Sequence, residues 1–273
     1  MSSASFLFLS PALPSELLTY ILNYHVYPTT LIICSSRSDF LADLADDVLY
    51  RETACPKEEV VSTESAVGTS PSSTTLGAHK IKQGEIRQHT LLSSPLYQVA
   101  TSRHIRVIYI PTVTHLRAYL SVFSPDDSKV PVPPASFNSS ARHPPCIILY
   151  GFLDMHRDTS EWSAQGLSNS ASTLVDLGHR LSWQTVIVEP RKRDSISSFE
   201  GILTEAVPFL SGGGRRPAPD SEEGGWTGRT VEVGRVMKRW LHFQRGQWDG
   251  NPDEDEGHTE MKASDDENEG PDE

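Results

Sequence analysis

Five short runs of continuous apolar residues constrain the fold of this chain more than any other feature. They span residues 5–9, 30–34, 105–110, 146–150 and 184–190. None of these runs alternates apolar with polar residues, as a strand with one solvated face does. Continuous apolar strands are typical of parallel sheets that helices cover on both faces. We therefore expect an α/β domain with a mostly parallel central sheet.

Segments with helical spacing follow the first four runs. Pro14 stands at a first-turn position, and Ser38 and either Thr112 or Thr114 are candidate N-caps. A strand followed by a helix, four times over, predicts a three-layer domain with right-handed crossovers. The apolar stripes that we expect to face the sheet are Leu17, Leu18, Ile21, Leu22 and Val26; Phe40, Leu41, Leu44, Val48 and Leu49; Leu116, Tyr119, Leu120 and Phe123; and Leu167, Ala171, Leu174, Val175 and Leu181.

Three polar stretches interrupt this pattern, and a final ordered piece follows the last of them. The stretches at about 52–92, 124–144 and 211–228 are rich in Ser, Thr, Pro or Gly, so we expect flexible insertions there. The piece at 229–244 carries spaced valines and aromatic residues that fit either a strand or a helix. A length of 273 residues with 37% hydrophobic residues predicts one core, and we expect one domain over residues 1–248.

The charge of the chain is concentrated at its C-terminal end. Twelve of the 36 acidic residues but only one of the 24 basic residues lie in 249–273. The rest of the chain is therefore close to neutral. With almost no apolar residues, this segment cannot offset its ordering entropy by burial, so we expect a disordered acidic tail. It is either a solvating tail or an autoinhibitory mimic of nucleic-acid charge.

Cysteine and histidine usage excludes several kinds of site. Cys34, Cys55 and Cys146 form no CxxC pair, which favours a reducing compartment. The histidines show no spacing that zinc needs, and we interpret His143, His156 and His179 as loop or surface residues, with no metal or other cofactor expected. No run of eighteen apolar residues predicts a membrane span, so a soluble, intracellular protein with no membrane contact is expected.

The order of these elements resembles the RecA-like recombinase fold, in particular the degenerate recombinase paralogues of Shu-type recombination complexes. The segment FLFLSPALPSELLTYILNYHVYPTTLIICSSRSDFLADL follows the family plan of a strand, a Walker A loop, a helix and a second strand. The segment PPCIILYGFLDMHRDTSEWSAQGLSNSASTLVDLGHRLSWQTVIVEP resembles the Walker B strand and the elements after it. The resemblance covers residues 5–190 apart from the insertions.

The phosphate-binding residues of the family are missing from the first loop. A Walker A loop needs glycines whose N–H groups converge on phosphate, a lysine, and a hydroxyl for magnesium. Here the corresponding residues include Ser10, Pro11, Pro14 and Ser15, and Glu16 stands near the expected place of the lysine. Two prolines remove N–H donors, and a carboxylate repels a triphosphate. The sequence predicts a degenerate nucleotide site.

The Walker B position has changed as well. In the family this strand ends in an aspartate that organises magnesium and water, but here the strand ends in Tyr150. Asp154 follows four residues later, and we expect it in the loop; a shifted alignment would restore it to the aspartate position. Together with the changed Walker A loop, this predicts a chain that is not an enzyme and does not turn over ATP.

Basic and aromatic residues near the end of the domain are candidates for binding. Arg191, Lys192 and Arg193 follow the last core strand, where the family leads into a DNA-contacting loop, so the resemblance implies phosphate contacts there. Arg215 and Arg216 form a second basic pair, to which we extend the DNA-binding prediction. A solvated turn is the alternative interpretation. Trp240 and Phe243 are candidate partner anchors or core residues.

The resemblance implies a nuclear, non-catalytic subunit of a recombination-mediator complex. Such a subunit would support recombinase assembly on single-stranded DNA during repair. Its implied partners are other recombinase paralogues and a SWIM-domain protein, with DNA reached through the complex. Two alternatives stay open: an inactive RecA-like subunit of an Elongator-type tRNA-modifying assembly, and a divergent P-loop ATPase.

Overall fold

A six-stranded parallel sheet forms the centre of the molecule. The computed structural model describes residues 5–24, 27–54, 90–93, 95–134, 145–191, 198–209 and 229–249. The strand order across the sheet is β3-β2-β4-β5-β1-β8, and all five neighbouring pairs are parallel. The strands are β1 (Phe6–Ala12), β2 (Thr29–Ile33), β3 (Ile105–Tyr109), β4 (Cys146–Tyr150), β5 (Gln184–Pro190) and β8 (His242–Gln244). A separate antiparallel pair joins β6 (Ala206–Pro208) to β7 (Thr230–Glu232).

Helices follow the strands in the order that the sequence predicts. They are α1 (Pro14–Tyr24), α2 (Arg37–Ala54), α3 (Thr90–Ser93), α4 (Leu96–Ser102), α5 (Val113–Val122), α6 (Phe152–His156), α7 (Ala164–Leu181), α8 (Phe199–Thr204) and α9 (Val233–Met237). Short 3-10 turns occupy Pro125–Asp127 and Gln247–Asp249. The α/β class and the parallel central sheet are therefore confirmed.

Both faces of the sheet are buried, which explains why its strands read as continuous apolar runs. Along β4, Ile148 and Tyr150 belong to the core on one face, while Ile147 and Leu149 belong to the core on the other. The first core contains Leu17 and Ile21 of α1 and Phe40 of α2. The second contains those of α5, α7 and α9. Successive strand residues point to opposite faces. Every side chain of β4 is therefore buried, and it must be apolar or have its polar group hydrogen-bonded.

The helix starts match the sequence predictions at one position and differ at another. Thr112 caps α5, where its hydroxyl accepts a hydrogen bond from the His115 N–H at 3.4 Å. Ser38, in contrast, lies inside α2, and the Ser36 hydroxyl accepts from the Asp39 N–H at 3.2 Å. The expected stripe on α2 is also too wide. Leu41 and Leu49 are 44% and 59% exposed because only one side of this helix meets the sheet.

The final piece of the domain forms both kinds of element. It contains β7, the single turn of α9, and β8, which pairs with β1 at the edge of the sheet. Most of the three predicted insertions and residues 250–273 lie outside the described residues. The borders differ slightly from expectation, since α2 continues to residue 54 and the chain is described up to residue 134.

Candidate functional site

The carboxyl ends of β1, β2, β4 and β5 form the edge at which parallel sheets bind ligands. Helices α1 and α2, which follow β1 and β2, pack on one face, whereas α5 and α7, which follow β3 and β4, pack on the other. In open α/β sheets, a crevice for ligands lies at the carboxyl edge where the connections diverge in this way. The predicted nucleotide site falls on this edge.

The connection between β1 and α1 is too short to form a phosphate-binding loop. β1 extends to Ala12 and α1 begins at Pro14, so one residue joins them. Ser10 and Pro11, which the sequence places in the loop, lie within the strand instead. The Ser10 hydroxyl accepts from the Gly246 N–H at 2.8 Å, and the Trp248 indole N–H donates to the Pro11 carbonyl at 3.0 Å. The segment after β8 therefore covers this strand end.

Carboxylates of the chain itself occupy the start of α1. The Glu16 carboxylate accepts from the Leu13 N–H at 2.9 Å, and the Asp47 carboxylate accepts from the Ser15 N–H at 3.0 Å. Helix N-termini attract anions through their free N–H groups and the helix dipole. At α1 that anion is supplied by the two side chains, and Asp47 is only 1% exposed. A phosphate would have to displace them.

Arg191 closes the same edge from the end of β5. Its guanidinium forms a short ion pair with Glu16 and a second contact with Asp249 at 3.6 Å. Its backbone N–H donates to the Ala12 carbonyl at 3.0 Å. One of the residues predicted to contact DNA thus binds two carboxylates of the chain, with a third of its side chain exposed.

Tyr150 occupies the end of β4, the position at which the resemblance implies an aspartate. Its hydroxyl donates to the Ala12 carbonyl at 3.0 Å, so it links the end of β4 to the end of β1 across β5. Burial raises the pKa of this phenol well above its ordinary value. The side chain is therefore neutral and does not supply the negatively charged oxygen with which an aspartate binds magnesium.

A buried carboxylate that sequence reasoning missed, Glu189, lies beside Tyr150 on β5. It is 3% exposed and accepts from the Leu153 N–H at 2.8 Å and the Asp154 N–H at 3.4 Å. Burial, with a smaller contribution from Asp154, raises the pKa of Glu189 to about 8. The sequence feature that could have identified Glu189 is a glutamate within an otherwise apolar strand. A glutamate at this position is equally consistent with the end of the strand.

The turn into α6 delivers those two N–H groups. Gly151 adopts a left-handed conformation with φ of 83°, which favours glycine, and its N–H donates to the Val188 carbonyl at 2.9 Å. Asp154 then lies in α6 rather than in a loop, and its carboxylate pairs with Arg157 at 3.1 Å. The structure brings Tyr150, Asp154 and Glu189 to one edge. Their polar atoms, however, contact other groups of the same chain.

A second polar network lies inside the core on the α7 side, and it corrects the interpretation of His156 as a loop or surface residue. His156 is fully buried; its Nδ1 donates to the Phe152 carbonyl at 2.7 Å, and its Nε2 accepts from the Ser170 hydroxyl at 2.9 Å. Arg117 Nε donates to that hydroxyl at 2.9 Å and pairs with Glu161. Burial lowers the pKa of His156 to about 4, so the ring is neutral.

The remaining predicted binding residues divide into two groups. Lys192, Arg193, Arg215 and Arg216 lie outside the described residues. Trp240 donates its indole N–H to the Ser168 hydroxyl at 3.0 Å. Phe243 meets the Phe8 ring edge-on, with ring centroids 5.7 Å apart. Both aromatic residues are half-buried against the core, so their roles in partner binding stay predictions.

Within the described parts of the chain, no group of three His, Cys, Asp or Glu side chains is arranged to hold a metal ion. In the same residues, no helix combines the length and apolar character needed to cross a bilayer. Comparisons with protein-family models, with curated protein sequences and with solved structures found no match to this chain. The geometry of the carboxyl edge is therefore the main guide to function.

Proposed function

We propose that this chain is a non-catalytic RecA-like subunit of a recombination-mediator complex. The observation that carries the proposal is the direct passage from β1 into α1 through Leu13 alone, with the N–H groups of the helix start bound by Glu16 and Asp47. A phosphate loop needs several free N–H groups around an open cavity. The order of strands and helices supports a RecA-like ancestry for the scaffold around this closed edge.

Loss of the nucleotide site makes binding the remaining role of such a domain. The recombination setting rests on the resemblance of residues 5–190 to the Shu-type paralogues. In this role the chain would hold other paralogues and a SWIM-domain protein, and the basic residues after β5 would contact single-stranded DNA within the complex. Electrostatic contacts of this kind give affinity without sequence preference.

The test is recovery of the tagged full chain from its native cells, followed by mass spectrometry. We expect recombinase paralogues and a SWIM-domain protein. A Lys192→Glu, Arg193→Glu double variant should keep these partners but reduce cross-linking of the complex to single-stranded DNA. The matched control is Arg103→Glu with Lys129→Glu, which changes the charge equally at two exposed positions. Recovery with ring-forming tRNA-modification subunits, or with no partner, would overturn the proposal.

A further inference from the structure

A groove of about 510 Å³ lies on the α7 side of the sheet, and its lining residues differ from the carboxyl-edge residues described above. The first turns of α7, the β6–β7 pair and α9 enclose it. Phe209 and Val231 supply apolar surface, and Phe209 is 45% exposed. Gln165 and Asn169 contribute amide groups from α7. The groove is therefore mixed in character, with both apolar and hydrogen-bonding surface.

Two arginines give the groove a positive charge. Arg235 and Arg239 line it, and both side chains are exposed. Neither forms an ion pair with another residue in the described parts of the chain. Arg117 and Arg157, in contrast, are each paired with a carboxylate. The groove is thus suited to an anionic ligand with some apolar surface.

We propose that this groove binds the acidic segment 250–273 of the same chain. The segment carries eleven acidic residues and one lysine, and Met261 is its one large apolar side chain. Its charge complements the two arginines, and a thioether packs favourably against an aromatic ring such as that of Phe209. No other stretch of the chain has a comparable excess of acidic residues.

Attachment to the domain favours this occupant over a free ligand. The described chain ends at Asp249, next to Arg191, and 24 further residues can extend over roughly 80 Å. A domain of this size has a radius of gyration of roughly 18 Å. A short tether of this kind produces an effective concentration in the millimolar range, so even weak contacts populate the bound state.

The expected contact is weak and salt-sensitive. Exposed ion pairs contribute little individually and are screened by salt. Docking would therefore be reversible, and it would cover Arg235 and Arg239 until a stronger anionic partner displaced the tail. This inference concerns a different surface from the closed carboxyl edge and does not rest on the recombination role.

Photo-cross-linking in the full chain tests the proposal. A benzophenone amino acid replaces Phe209 in one protein and Val122, which is 74% exposed on α5, in the control. After irradiation at low salt, mass spectrometry should find cross-links from position 209 to 250–273 and far fewer from position 122. Adding Arg235→Glu and Arg239→Glu should reduce them by roughly fivefold or more, because two exposed ion pairs are lost. Arg103→Glu with Lys129→Glu should leave them unchanged.

Several outcomes would overturn the proposal. The first is an equal yield of cross-links to 250–273 from positions 209 and 122. The second is a cross-link yield that the two arginine reversals leave unchanged in a variant that keeps its circular dichroism spectrum. The third is cross-linking to 210–228 in place of the tail. Mixing heavy- and light-isotope proteins identifies a second copy as the occupant if hybrid cross-links dominate. If a single-stranded oligothymidine cross-links at position 209 while the tail does not, the groove is a nucleic-acid site instead.

Discussion

Glu189 is the residue whose titration should report most directly on the carboxyl edge. Its carboxyl group is buried beneath α6, and its folded-state pKa of about 8 exceeds the ordinary value of 4.5. The folded state therefore holds a proton that the unfolded state releases first. The contribution to stability is full below about pH 4.5 and is lost as the pH rises to about 8. The loss is on the order of a few kcal/mol.

Glu189→Gln should remove this dependence while keeping an acceptor for the Leu153 N–H. We expect the melting temperature of the variant to change less between about pH 5 and pH 8 than that of the wild type, and to be higher at the upper pH. Glu200→Gln, at an exposed position of α8, is the control and should behave as the wild type. An unchanged pH profile in Glu189→Gln would show that Glu189 is ionised throughout.

The Ser170 hydroxyl on α7 connects three helices, because it bonds to Arg117 of α5 and to His156 of α6. Ser170→Ala therefore leaves two buried or half-buried nitrogens without this partner. We expect a loss of about 1–3 kcal/mol in the free energy of unfolding, measured by urea denaturation. Ser172→Ala on the same helix removes only an exposed bond to the Asn169 carbonyl and should cost much less. Equal losses would contradict a structural role for the network.

At the scale of elements, the contact of α7 with the sheet depends on a glycine. A Cβ at Gly178 would lie 2.6 Å from the Phe6 ring and 2.8 Å from the Thr185 methyl group. Gly178→Ala should therefore destabilise the domain by about 1–3 kcal/mol in chemical denaturation. Gly201→Ala in α8 meets its nearest neighbour at 3.5 Å and should be neutral or stabilising, as helix propensity predicts. A stabilised Gly178→Ala protein would argue against this close packing.

Patterns predicted whole elements better than their ends. The four strand–helix repeats and the Thr112 cap follow from local residue types. The continuation of β1 through Ser10 and Pro11 to Ala12 could not be predicted in this way, because proline normally marks the end of a strand. Here Pro11 lies where the pairing of β1 with β5 shifts register, and such irregularities tolerate a missing N–H. The neighbour that completes this strand end, Gly246, is 236 positions away in the sequence.

At the scale of the whole molecule, the candidate site was only partly predictable. The resemblance led us to expect Glu16 and Tyr150 at the places of a phosphate-binding lysine and a magnesium-binding aspartate. Glu16 accepts from the Leu13 N–H only three residues away, which is a local capping pattern. The Ala12 carbonyl that accepts from Tyr150 is 138 positions away in the sequence, and no local pattern predicts how these strand ends meet. The carboxylates at the start of α1 and the Tyr150–Ala12 hydrogen bond across β5 hold the strand ends and the helix together, so the edge is closed by packing within the chain.

The most direct test of this closed edge is a calorimetric titration of the full chain with ATP and magnesium. We expect no saturable heat up to about 1 mM nucleotide, which corresponds to a binding free energy weaker than about −4 kcal/mol. Saturable binding of one nucleotide per chain at micromolar concentration would contradict the account, because Glu16, Asp47 and Arg191 would then have to release the N–H groups and space that they occupy.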